Sequence, residues 1–465
     1  MNQAETTSTP PELQQTETSL LRHKLLYLAL AITIIVRIAV SAVSLSKLED
    51  DPDSYRLLAT NLIHKQSFTL DDPAEPTAFR PVLYPLLLAA TSRSGSVLPA
   101  EVAALHLVLG ALTVAGVYAW VFHLGYRKQA FAAAVLVGID PVLLNQSTLV
   151  MSETFAVFLT VLVLITITAL HQTLIATSTE EKDSTTKNQS ASKNDLPIRA
   201  MNVAGALMLA FYCRPSFLIW WALILLAFVV VRGVDWKKRM LAVFSICLVS
   251  IFMLLPWVAR NYLVFDAPVI ATTHGGVTLL LGNNPEFYEY LQNGDSPVWD
   301  STSFHERLDD DYPAAFSSQG ELARDKELSD EAVENIQASP GMFAYSSLIR
   351  FGRLWRPMPH QLSEQESIQR TSARYLVGIW YTLQFIFAAI GLWQLRSKLL
   401  SSPWLMIVLL PISLSLVHSV FWSNIRMRAP VVPVIALLAV LGATHLWQKY
   451  VRKQRPSVAT STESQ

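Results

Sequence analysis

Two aspartates and an arginine have the types and spacing to do chemistry together. Asp51-Pro52-Asp53-Ser54-Tyr55 lies about 30 residues ahead of Arg80-Pro81-Val82-Leu83-Tyr84-Pro85-Leu86-Leu87-Leu88-Ala89. Both stretches fall between the first long apolar segment, ending near Ser46, and the next. A carboxylate at a membrane surface can accept or orient the proton of an attacking hydroxyl. A planar guanidinium can grip a phosphate at two points. Asp51 and Asp53 are therefore candidate catalytic carboxylates, and Arg80 and Tyr84 candidate substrate-binding residues. Helix capping is the competing explanation, because the pair precedes the helical pattern Tyr55-Leu58-Ala59-Leu62-Ile63. Capping accounts for one aspartate, and on this reading Asp53 is equally a cap or a catalyst.

Glu153 is the third candidate carboxylate. It stands in Val150-Met151-Ser152-Glu153-Thr154-Phe155, at the start of an otherwise uncharged run to His171. An ionised side chain in a span costs roughly 2.5–3.5 kcal/mol near the centre and less near the interface, so it usually has a role. A cap formed with Ser152 is the alternative, and Asp140 before Pro141 reads as a helix-end residue. Arg80, Arg214, Arg260, Arg426 and Arg428 all flank helix ends on one face, which favours an anionic ligand there over simple snorkelling of each. Arg37 lies inside the first apolar span. Arg350, Arg353 and Arg356 recur every three residues as a basic stripe suited to substrate or lipid head groups.

These residues need a scaffold, and composition says which kind. The chain is 52% hydrophobic and only 15% charged, where a soluble domain carries roughly 25% charged residues. Apolar windows of about 20 residues recur, which predicts an all-α polytopic membrane protein. Ten spans are expected, near 25–46, 100–123, 130–144, 153–171, 200–213, 215–232, 239–259, 373–395, 402–421 and 429–447. Val82 to Ala90 is too short to cross and should lie on the surface or re-enter. Basic clusters at Arg22/Lys24, Arg127/Lys128, Arg232 to Arg239, Arg396/Lys398 and Lys449 to Arg455 then all face the cytoplasm, as charge asymmetry requires.

The expected organisation is a disordered cytoplasmic tail over 1–20, a membrane module over 21–260 with an outer loop 47–99, an extracytoplasmic segment 261–372, terminal spans over 373–455 and a tail 456–465. The polar stretch from Ser178 to Asn194 should be a loop. In the extracytoplasmic segment, Pro268, Gly275, Gly276, Gly282 and Pro285 predict turns, and the later half predicts helix with surface-lying elements. Net charge is zero, so no bulk field favours nucleic acid. Cys213 and Cys247 sit in apolar segments and read as reduced thiols. No Cys or His spacing supports a metal; a divalent ion is compatible with the carboxylates but nothing calls for it, and no cofactor is expected.

Five pieces of the chain resemble the GT-C superfamily of integral membrane glycosyltransferases, in the branch of protein O-mannosyltransferases and the bacterial transferases that put aminoarabinose on lipid A. They are Asp51 four residues before Tyr55 with Leu58-Ala59 after it, Arg80 to Ala89, Pro141-Val142-Leu143-Leu144 leading to Ser152-Glu153, Pro256-Trp257-Val258-Ala259-Arg260-Asn261-Tyr262, and Gly282-Asn283-Asn284-Pro285. The match covers roughly the first 290 residues; it departs where one proline rather than two precedes Val82, and it fades after Pro285. The resemblance implies a polyprenyl-phosphate sugar donor and an acidic residue of the first outer loop at the catalytic centre. Asp51 fits that position best with Asp53 its rival, Glu153 fits the second outer turn, and Arg260 fits a donor-phosphate position. It also implies inversion at the sugar, an extracytoplasmic acceptor (lipid, glycan or protein) and a bacterial inner or plasma membrane. A transporter or flippase is the rival: its ions would sit mid-span, commonly in duplicated halves, whereas no internal repeat is visible and the charges gather on one outer surface. A non-catalytic scaffold would not need acids facing arginines.

Overall fold

Apolar runs in hydrocarbon can satisfy their backbone only as helices or closed barrels, and this chain takes the first course. The computed structural model describes all residues except 1–10, 71–74, 94, 181–194, 232–233, 295, 297, 312–317, 362, 364 and 455–465. The helices run α1 (Pro11–Val43), α2 (Tyr55–Lys65), α3 (Leu83–Thr91), α4 (Pro99–His123), α5 (Ala130–Gly138), α6 (Pro141–Gln146), α7 (Glu153–Glu180), α8 (Asp195–Cys213) and α9 (Phe217–Val230). They continue as α10 (Trp236–Phe265), α11 (Gly275–Gly282), α12 (Pro285–Asn293), α13 (Thr302–Asp311), α14 (Ser318–Ala338), α15 (Pro340–Trp355), α16 (Ile368–Gln394), α17 (Trp404–Val420) and α18 (Val432–Gln454). Among the described residues there is no strand, only an isolated bridge between Thr69 and Pro76.

Among the described residues, seven helical stretches are long and apolar enough to cross a membrane: His23–Val43, α4, Glu153–Ile175, α8, α10, α16 and Ile425–Val451. Two more apolar helices, α9 and α17, are shorter. The expected span over 130–144 is broken into α5 and α6, because Asp140 caps a new helix whose first residue is Pro141. Nine residues of α5 reach only about 14 Å. The Val82 to Ala90 stretch forms α3, nine residues and also too short to cross. Of the tail expected over 1–20, residues 1–10 lie outside the described set and Pro11 already begins α1. The expected loop between Ser178 and Asn194 is helical to Glu180 and otherwise lies outside the described residues, as does the tail 456–465.

Ile425–Val451 and α7 are the most enclosed spans, with 72% and 67% of their apolar windows buried, while α1 and α16 bury 17% and keep broad faces for lipid. α16 closes on α18 through Gly391 and Gly442, where a Cβ would meet the backbone carbonyl of Leu438 or Phe387. Small residues of this kind let membrane helices approach at backbone distance.

Beyond α10 the chain is largely helical; Pro268 lies in the irregular stretch between α10 and α11 as expected, but other expected turn-formers act otherwise. Gly275 and Gly276 begin α11, and Gly276 is needed because a Cβ there would strike the carbonyl of Asp325 in α14. Pro285 is the first residue of α12, where its missing N–H costs nothing. A small core of Leu280, Phe304, Leu308, Leu328 and Ala332 holds this unit together. Glu321 at the start of α14 ties it to the loop after α2: it accepts from the Thr77 hydroxyl (2.5 Å), the Ala78 N–H (2.9 Å) and the Thr273 hydroxyl.

The ends of the helices sort into two levels. Arg127, Lys128, Lys237, Lys238, Arg239, Arg396 and Lys398 sit at the far end of the bundle, where Gln172 of α7 bonds the His123 carbonyl of α4 (2.9 Å) and Tyr126 meets Trp404. The candidate residues gather at the opposite end. Cys213 and Cys247 are both free thiols.

Candidate active site

The loop after α1 brings the first two carboxylates to α3 and α4. Asp51 caps α2: its Oδ2 accepts the Leu57 N–H (2.9 Å), so the capping role falls to Asp51 and not Asp53. Its Oδ1 is buried with no hydrogen-bond partner. Asp53 is ion-paired with Arg80 (3.0 Å), both partly exposed. Ser54 between them and the helix adopts a left-handed conformation (φ 59°), which turns the chain sharply into α2.

Two tyrosines floor this cluster. Tyr55 and Tyr84 meet edge to face at 5.2 Å, and the Arg80 guanidinium stands 5.9 Å over the Tyr55 ring. The Tyr84 hydroxyl pairs with His106 Nε2 (2.8 Å), whose Nδ1 pairs with the Ser147 carbonyl (3.0 Å). A carbonyl can only accept, so His106 Nδ1 carries the proton and Tyr84 donates to Nε2. Burial pushes the Tyr55 phenol up to about 12 against the pull of Arg80, and pushes Tyr84 well above its ordinary value. Both phenols are therefore hydrogen-bond donors at neutral pH, not bases.

Tyr55 and Tyr84 also adjoin a second cluster, since Tyr55 feels the charge of Arg214 and Tyr84 that of Glu153 and of Asp51. Glu153, at the start of α7, is 1% exposed and pairs with Arg214 (2.9 Å) from the end of α8. Arg426, from the turn Ile425–Val431 before α18, approaches the same oxygen at 3.7 Å. Glu153 is thus a two-arginine anchor rather than a cap shared with Ser152. The arginines are steadied by sulfur: Arg214 lies 2.9 Å from Met427 Sδ and Arg426 2.8 Å from Met151 Sδ.

Asp51, Asp53, Glu153, Arg80, Tyr84 and Arg426 are therefore brought to one end of the bundle, with Arg214. Arg260 and Arg428 are elsewhere. Arg260 donates to the Thr77 carbonyl (2.9 Å) and Asn261 Oδ1 (2.8 Å) over the Trp257 ring, pinning the loop that Glu321 also holds. Arg428 is fully buried, stacked 4.0 Å from Tyr381 and donating to the carbonyls of Leu354 and Arg356. Tyr381 in turn donates to Asp140, which caps α6. The basic stripe also dissolves: Arg350 is buried against Gly282, Asn283 and Ser419, Arg353 lies over Phe287 and Trp422, and Arg356 pairs with His360. His106 had no sequence signal beyond its place in an apolar helix. Among the described residues no group of three or more His, Cys, Asp or Glu side chains is arranged to hold a metal ion.

No protein-family model and no curated protein matches the sequence. Solved structures do. The archaeal oligosaccharyltransferase AglB from Archaeoglobus fulgidus superposes with a TM-score of 0.55 at 17% identity, over 96% of this chain and 53% of its own. The same organism's enzyme in its apo form matches at 0.55 and 18% identity, over 93% and 51%. ArnT from Cupriavidus metallidurans overlaps with a TM-score of 0.40 at 9% identity, over 91% and 78%, too loosely to carry an argument. The chain shares the membrane fold of that archaeal oligosaccharyltransferase. It spans about half the length of the archaeal oligosaccharyltransferase it resembles.

Proposed function

We propose that the chain is a membrane glycosyltransferase that moves a sugar from a polyprenyl-phosphate donor to a hydroxyl of an extracytoplasmic acceptor, with inversion. The observation that carries this reading is the pairing of two clusters of opposite sign across Tyr55 and Tyr84. Asp51 and Asp53 with Arg80 sum to one negative charge; Glu153 with Arg214 and Arg426 sums to one positive charge. The positive side suits a lipid phosphate and the negative side a hydroxyl nucleophile. The archaeal enzyme of similar fold was solved with a dolichol-phosphate, which supports a lipid-phosphate donor.

The acceptor hydroxyl oxygen attacks the anomeric carbon. The bond from that carbon to the phosphate oxygen breaks, and its electron pair leaves with the lipid phosphate. Asp51, with one oxygen held by Leu57 and the other unpartnered, orients the hydroxyl and takes its proton. Arg214 and Arg426 stabilise the growing phosphate charge. A phosphate leaving group is already a stable anion, so no strong general acid is needed. The site faces the extracytoplasmic side, because the basic clusters occupy the other end of the bundle. Purified protein given a polyprenyl-phosphate sugar and a hydroxyl acceptor should release polyprenyl phosphate and form the opposite anomer; retention of configuration, or no donor consumption with any such sugar, contradicts the reading.

A further inference from the structure

The positive cluster holds a second set of atoms that phosphate does not explain. His418, in the last turn of α17, is 6% exposed, and its Nδ1 lies 3.0 Å from the Trp422 carbonyl. That carbonyl can only accept, so Nδ1 carries the proton and Nε2 presents a bare lone pair. Nε2 is buried with no partner. The ring feels the charges of Arg214, Arg426 and Glu153, which puts it beside the same cluster. Glu153 Oε2 is likewise buried without a partner from another residue, and so is the hydroxyl of Ser423, which is fully buried next to Trp422.

A buried acceptor without a partner from another residue is costly, and here two lie beside one charged cluster. An ionised phosphate diester has no hydrogen to give either of them. An alcohol hydroxyl has one, and can also accept from Ser423 or a guanidinium. We infer that His418 Nε2 and Glu153 Oε2 read hydroxyl groups of a carbohydrate ring, with His418 a sugar-recognition residue beside the phosphate-binding arginines. This rests on the proposed glycosyl transfer for its donor and goes beyond it in saying where the sugar sits and which atoms select it. Trp422, whose carbonyl sets the ring's tautomer, also packs against Phe287 (5.4 Å) and Trp299 (5.4 Å). Residues from α12 and the segment after it therefore pack against the residue that fixes the His418 tautomer.

Two substitutions separate recognition from packing. His418→Asn keeps an N–H near Nδ1 for the Trp422 carbonyl and removes the Nε2 acceptor. His418→Gln loses the Nδ1 bond and restores an amide, which can accept, near Nε2. Binding to full-length protein in nanodiscs should be measured for undecaprenyl phosphate, undecaprenyl-phosphate glucose, undecaprenyl-phosphate mannose and soluble methyl glycosides. Wild type should bind at least one sugar-bearing probe more tightly than the bare lipid phosphate. His418→Asn should erase roughly 10-fold of that preference, with bare lipid phosphate unchanged and thermal stability retained; His418→Gln should keep part of it. Equal loss of bare and sugar-bearing lipid, the reverse order of the two variants, or no effect of His418 on any sugar-bearing probe overturns the inference. His418-dependent binding of methyl glycosides without any binding of polyprenyl phosphates would uphold the sugar pocket and sink the proposed donor.

Discussion

Replacing Glu153 tests whether the two clusters form one working site or a structural knot. The side chain is 1% exposed and its partner Arg214 15%. Glu153→Gln leaves Arg214 and Arg426 facing each other without their counter-charge. Removing one partner of a buried pair costs about 3–5 kcal/mol. Arg426 is 29% exposed and can turn toward water, which places the expected loss near 3 kcal/mol at the low end of that range. Adding Arg214→Met removes the second uncompensated charge and should recover about 2 kcal/mol, because the paired sites are not additive. Unfolding in mixed detergent micelles, followed by tryptophan fluorescence, measures all three variants against wild type. Transfer assays on the same preparations then separate the roles: the double variant should regain stability and remain inactive. A Glu153→Gln protein within about 0.5 kcal/mol of wild type would show that the pair is not the anchor described. A double variant that regains both stability and transfer would show that the cluster is structural only.

Arg260→Ala should loosen the loop at Thr77 and speed its proteolysis while changing the apparent donor affinity by less than about 3-fold, since its hydrogen bonds go to Thr77 and Asn261 rather than to the site; a selective loss of donor affinity would return it to the phosphate. Gly110→Ala should destabilise by about 1–3 kcal/mol, because the added Cβ would lie 2.5 Å from Nε of the buried Arg37; a neutral outcome would mean that α1 and α4 pack less closely than described. In a background lacking Cys213 and Cys247, an impermeant thiol reagent applied outside should label Gln292→Cys and not Ser397→Cys, both of which replace exposed residues at opposite levels. Equal labelling would refute the orientation.

Much of this architecture is legible from hydropathy alone, because backbone in lipid leaves few alternatives to a helix. The boundary failures have local causes. Asp140-Pro141 restarts a helix inside an apolar run, so composition hides the break between α5 and α6. Gly275-Gly276 reads as a turn until α14 comes close enough to require glycine. The candidate carboxylates were visible because acids are rare beside apolar runs, but their division of labour was not. Asp51 and Asp53 are two residues apart, and only the left-handed Ser54 decides that one caps α2 while the other meets Arg80. Arg426 and Arg428 are also two apart, yet the 3-10 turn sends one to Glu153 and the other to Tyr381. His106 and His418 carry no periodic signal; their meaning comes from which ring nitrogen a carbonyl occupies.

The central claim is that Asp51 acts on the hydroxyl attacking a lipid-phosphate sugar. Single-turnover transfer from undecaprenyl-phosphate sugar in proteoliposomes, comparing wild type with Asp51→Asn, tests it most directly. Asparagine keeps an oxygen to cap Leu57 but cannot take the proton, so the rate should fall roughly 10²–10⁴-fold with donor binding and folding intact. A wild-type rate in Asp51→Asn would contradict the account, and loss in Asp53→Asn alone would move the role to the aspartate paired with Arg80.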